Sequence, residues 1–174
     1  MNTLAHHVKT SPRFSRSANV ERDRGGSAIE GYLPTGRALD VISRIAGGLL
    51  DPASGRTFSI TGPHGGGKSS LAVFLDGLLA AAATEEYRRA HEILCAVDAE
   101  LDDRLKQGVR AVRGQRSGFI RAYATARNEP VTATIARALY AGAVRRFGES
   151  QRIIPSQFAS APQTIAATEV KEKV

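Results

Sequence analysis

The stretch Gly62-Pro63-His64-Gly65-Gly66-Gly67-Lys68-Ser69 constrains this chain more than any other. It fits the pattern of a Gly, four free positions, then Gly-Lys-Ser or Gly-Lys-Thr, the phosphate-binding loop known as Walker A. Each fixed position has a mechanical job. The glycines let the backbone turn tightly enough to aim several N–H groups at the α- and β-phosphates, the lysine reaches the β- and γ-phosphates, and the hydroxyl ligates Mg²⁺. A helix opening at the end of the loop adds its positive dipole end and its unpaired amides. The motif therefore marks Gly62, Pro63, His64, Gly65, Gly66, Gly67, Lys68, Ser69 and Ser70 as nucleotide-binding positions, with Ser69 on the magnesium ion. His64 occupies a free position and reads as a tolerated substituent rather than a base.

Such a loop calls for a strand before it and a helix behind it. Arg56-Thr57-Phe58-Ser59-Ile60-Thr61 alternates polar and β-favouring residues, which predicts a short strand. Residues 69–79 are apolar all round, as in a helix buried against a sheet. Upstream, Thr35 can cap a helix running to Leu49 or Leu50, because Ala38, Val41, Ile42, Ile45 and Leu49 recur at helical spacing. Downstream, Ile93, Leu94, Val97, Leu101 and Leu105 form one stripe, predicting a single helix over 84–107. Residues 108–118 read as a mobile basic connection and 119–125 as a second strand. Asn128-Glu129-Pro130 turns the chain into a helix over 131–147 closed by Gly148. This order predicts an α/β fold, a P-loop NTPase-like parallel sheet with flanking helices, and an incomplete one, since only two strands are visible.

The 174 residues suit one domain. We read residues 1–27 as a flexible basic arm, 28–150 as a partial nucleotide-binding domain and 151–174 as a disordered tail. The formal charge of +7 favours polyanions, so nucleotide and nucleic acid both qualify as partners. Cys95 is the only cysteine, which excludes an intramolecular disulfide and a multi-thiol metal site. With no apolar leader or spanning run in the sequence, the expectation is a cytoplasmic protein with no membrane partner.

Hydrolysis on such a loop needs a carboxylate at the end of another core strand. Two are candidates. Asp98 ends the apolar run Ile93-Leu94-Cys95-Ala96-Val97, although the flanks continue as helix and would put Asp98 and Glu100 on a solvated face. Glu129 follows the second predicted strand, although the Asn-Glu-Pro turn alone explains it. Arg104, Lys106, Arg110, Arg113, Arg116, Arg121 and Arg127 carry the strongest charge bias, read either as a nucleic-acid contact or as a solvated edge.

The run Gly31-Tyr32-Leu33-Pro34-Thr35-Gly36-Arg37-Ala38-Leu39, a helix, then Thr57 to Ala72 through the loop resembles the start of large bacterial P-loop ATPases of the AAA+ and STAND-like kind. Some of these look like ATPases of phage-defence gene clusters. The resemblance implies ATP and Mg²⁺ as ligands and an ATP-driven mechanical or switching role, with Tyr32 and Arg37 approaching the adenine end. A nucleic-acid-binding module using residues 104–127 and a small-molecule kinase are the alternative expectations.

Overall fold

Side-chain caps and apolar spacing set the helices of this chain. The computed structural model describes residues 18–114, 119–125 and 127–148, and the chain divides into two units, Met1–Gly118 and Phe119–Val174. In the first unit α1 spans Gly26–Ile29, α2 Gly36–Leu50, α3 Lys68–Leu78, α4 Glu85–Val97 and α5 Ala99–Arg113, with a 3-10 turn at Pro52–Ser54. Thr35 accepts a hydrogen bond from Ala38 N–H at 3.3 Å and so starts α2 at the expected place. Thr84 does the same for α4, accepting from Tyr87 N–H at 3.4 Å.

The predicted single helix over 84–107 is two helices. Asp98 leaves helical geometry (φ −153°, ψ 92°), and its carboxylate accepts from Leu101 N–H at 2.9 Å, capping α5. Both helices share the predicted stripe, but it is interrupted at the break, where Val97 is 52% exposed: Ala90 and Leu94 of α4 are buried, as are Leu101, Leu105 and Val109 of α5. That core also takes Ile42 and Ala46 of α2 and Phe74 and Leu78 of α3. Helix α5 then runs on through much of the expected connection, to Arg113. Its Gly108 lies so close to α2 that a Cβ there would stand 2.8 Å from Leu49 Cβ and 3.1 Å from the Ala46 carbonyl oxygen.

One buried polar network ties three of these helices. Asp102 of α5 is 1% exposed and lies between two basic groups: His91 Nδ1 of α4 meets one carboxylate oxygen, and Lys106 Nζ donates to the other at 2.6 Å. The other ring nitrogen of His91, Nε2, donates to the carbonyl of Leu78 at 3.2 Å, the last residue of α3. A carboxylate so deeply buried is tolerated because both oxygens are engaged by cationic or ring N–H donors.

The expected parallel sheet is absent: no strand occurs among the described residues. Neither predicted strand forms, since a strand needs a ladder partner and a face to bury. Residues 57–61 join no backbone ladder among the described residues, and their apolar members stay exposed, Phe58 by 41% and Ile60 by 39%. The core that would have covered a sheet is filled by helix faces instead. Of the expected N-terminal arm, residues 18–27 hold a turn and the start of α1, and 1–17 lie outside the described residues, as does the expected tail at 151–174.

In the second unit, residues 119–125 have no regular structure and precede α6, Val131–Phe147, which ends at Gly148 as its spacing predicts. Gly142 presses on this segment, where a Cβ would stand 2.8 Å from the Arg121 carbonyl oxygen. Arg145 donates to that carbonyl at 2.7 Å and stacks over the Tyr123 ring at 4.8 Å.

Urea unfolding across pH checks the Asp102 network. Asp102→Asn is expected to cost about 3–5 kcal/mol at neutral pH, because it leaves the Lys106 ammonium and the buried His91 ring without their carboxylate. The hydrogen bond to Asp102 holds the Lys106 ammonium above the ordinary lysine value of 10.5. Its stabilisation is therefore complete below that value and lost as pH climbs through the raised folded value. The stability gap between wild type and Lys106→Met should close at strongly alkaline pH; a gap constant with pH would contradict this.

Candidate functional site

The irregular segment before Gly62 delivers the chain to a turn at 64–67, from which α3 starts at Lys68. Gly65 and Gly67 adopt φ of +77° and +78°, the left-handed region that only glycine enters at no steric cost. Between them, Gly66 N–H donates to the Pro63 carbonyl at 3.2 Å, closing the turn. The first intrahelical bond of α3 runs from Leu71 N–H to the Gly67 carbonyl at 2.9 Å. The amides of Lys68, Ser69 and Ser70 therefore have no backbone acceptor among the described residues. No side chain caps this end and no acid occupies its first turn, so the positive end of the helix dipole is uncompensated.

Lys68 folds back over the loop, its Nζ donating to the carbonyls of Gly62 at 2.9 Å and Pro63 at 2.7 Å. Ser69 and His64 are exposed, and Ser70 is half-buried. The loop opens on a cleft of about 610 Å³ whose facing wall includes Tyr32, Thr35, Arg37 and Val41. Lys68 and Arg37 are the charged residues lining it, and no carboxylate does. The Tyr32 ring stacks on Phe74 of α3 at 4.5 Å with a 30° tilt, and burial pushes its hydroxyl above the usual tyrosine range. One helix thus carries the loop at its N-terminus and, through Phe74, fixes an aromatic ring on the opposite wall. The structure places Tyr32 and Arg37 around one cleft with Gly62, Pro63, Gly66, Gly67, Lys68 and Ser70 of the loop, while His64, Gly65 and Ser69 are not among its lining residues.

The other sequence candidates have structural partners of their own. Asp98 is the cap of α5 and ends no strand. Glu129, in the second unit, accepts from Thr134 Oγ1 at 2.8 Å and Arg137 at 2.7 Å, and these bonds hold its carboxyl below the usual range. The basic residues do not form one connection: Arg104, Lys106, Arg110 and Arg113 belong to α5, Lys106 is committed to Asp102, and Arg121 and Arg127 fall in the second unit. Arg116 lies outside the described residues. The spacing argument missed the His91–Asp102–Lys106 network. A visible signal was present, since Asp102 and Lys106 stand four apart on a helix, but His91 joins them only through the break at Asp98.

Comparison with known proteins finds no matching family model, no matching curated protein and no matching solved structure.

The left-handed turn gives a direct test. Gly67→Ala adds a Cβ at φ +78°, which should cost about 1 kcal/mol or more and pull the first amides of α3 out of line. Pyrophosphate binding measured by calorimetry should weaken in this variant while the circular dichroism of the helices is kept. Unchanged pyrophosphate affinity would show that the loop's backbone geometry is not what holds the anion.

Proposed function

We propose that this chain binds ATP with magnesium at the loop 62–70 and uses occupancy of that site as a switch. The observation that carries the reading is the helix start at Lys68, with three amides lacking a backbone acceptor, no acidic residue in its first turn and a lysine ammonium within reach. Such an end favours an anion through its N–H groups and its dipole together. Lys68 is the moving part. On its two loop carbonyls it stabilises the turn; when phosphate oxygens enter, it exchanges those neutral acceptors for charged ones and forms shorter, stronger bonds. The loop then loses its internal tie and is held by the ligand.

Ser69 follows Lys68 on the first turn of α3 and its hydroxyl would ligate the ion. Magnesium, when bound, would neutralise charge on the phosphates. Beyond the phosphates, the cleft extends to the Tyr32 ring and Arg37, which suits a ligand with a planar group and further polar atoms. The cleft supplies binding and positioning, and no carboxylate of its lining could orient a water. Turnover would depend on an acidic group from outside that lining, so the reading is of a binding switch.

Calorimetry of Lys68→Ala with MgATP tests it. Truncating one partner of a hydrogen-bonded charge pair costs about 2–5 kcal/mol, so affinity should fall about 30-fold to more than a thousandfold. Equal affinity in wild type and variant would exclude the loop as the nucleotide site.

A further inference from the structure

His91 sits between two groups that only accept hydrogen bonds. Its Nδ1 faces a carboxylate oxygen of Asp102, and its Nε2 faces the Leu78 carbonyl oxygen at 3.2 Å. A neutral imidazole carries one N–H, and its other nitrogen is an acceptor. In either neutral tautomer one ring nitrogen would therefore set its lone pair against an oxygen lone pair, inside a core where His91 is 5% exposed. Asp102 is a poor source of the missing proton. Its other oxygen accepts from the Lys106 ammonium at 2.6 Å, and a cation at that distance keeps a carboxylate ionised.

Two further contacts suit a cationic ring. Leu78 closes α3, whose last turn has no basic residue, so a proton on Nε2 sets positive charge against the negative end of that helix. The Tyr87 ring lies 4.0 Å from the imidazole, inclined by 45°, within range of cation–π attraction. The other charges around α4 are paired elsewhere: Arg88 with Glu85 and Glu92, and Arg89 with Glu85 and with Glu30 at the end of α1. Cys95, one turn beyond His91 in the same hollow, is exposed.

We infer that His91 is a doubly protonated clasp joining α3 to α4 and α5, and that loss of one proton opens it at the Leu78 end. A neutral ring has one N–H left, and the ionised carboxylate of Asp102 is the stronger acceptor. The proton that stays is on Nδ1, and the one released comes from Nε2. Nε2 then presents a lone pair to the Leu78 carbonyl, one of the terminal carbonyls that a helix cannot satisfy by itself. The chain at Leu79 and buried Ala80 is freed with it, at the opposite end of α3 from the glycine loop and whether or not that loop holds a ligand. The effect on stability has one sign. Folding takes up a proton that the unfolded chain has released above the ordinary histidine value of about 6.5, so the contribution is complete below that pH and is lost as pH rises.

Nitrogen-15 NMR of the histidine rings in the full chain tests this, with His91 assigned by its Overhauser contacts to the Tyr87 ring. At about pH 7.5 both His91 nitrogens should carry protons, while the ring of exposed His64 is neutral. On further titration Nε2 should lose its proton and Nδ1 keep it, and the carbonyl carbon-13 signal of Leu78 should move with the same midpoint. A neutral His91 ring at about pH 7.5, or a ring that titrates while the Leu78 carbonyl stays still, overturns the clasp. Urea unfolding gives a second reading. Above about pH 6.5 the wild-type unfolding constant should rise, relative to that of His91→Gln, by up to about tenfold per pH unit; parallel curves for the two proteins overturn the proton uptake.

Discussion

Asp102 is the constraint on which the first unit depends. A carboxylate buried to 1% exposure is stable only while its partners stay in place. Those partners come from different places in the sequence: Lys106 one turn on along α5, and His91 from α4 across the break at Asp98. His91 then passes the constraint to α3 through the Leu78 carbonyl. Three helices that could slide on an apolar interface are thereby held in one register, because a slip would strand a charge in the interior.

The consequence for the loop is a division of labour within α3. Its C-terminal half is anchored by buried Phe74 and Leu78 and by the hydrogen bond from His91. Its N-terminal end is exposed, with amides that the helix itself cannot satisfy. A fixed helix presenting an unsatisfied end is a suitable support for an anion, because little ordering remains to be done when the ligand arrives. The glycine turn contributes shape and Lys68 the movable charge. In our reading the switch is this exchange of partners at Lys68, carried out on a support that does not move.

Much of this was legible from local chemistry. Thr35 and Gly148 mark a helix start and a helix end where caps belong, and the spacing of residues 38–49 follows one buried face. The loop was legible because glycine positions, Lys68 and the helix start are all local. What was not legible depended on partners. Residues 57–61 and 119–125 carry strand-like alternation, yet β-structure requires a second strand that alternation does not supply. The break at Asp98 was hidden because the apolar stripe from Ile93 to Leu105 serves two helices packed on one core. An Asp followed by Ala-Glu-Leu is a cap signal, and reading it first would have divided the helix. The buried network was out of reach for the same reason, since His91 and Asp102 meet only once the chain has turned.

The central claim is that the backbone at the start of α3 is the anion-binding element. Two-dimensional amide NMR of the full chain, titrated with magnesium pyrophosphate and then with MgATP, tests it most directly. The account predicts that the amides of Gly65, Lys68, Ser69 and Ser70 shift furthest with both ligands and saturate together, while those of Arg104 and Arg110 on α5 stay in place. Loop amides that do not move at saturation, with shifts gathered on the basic residues of α5, would contradict it.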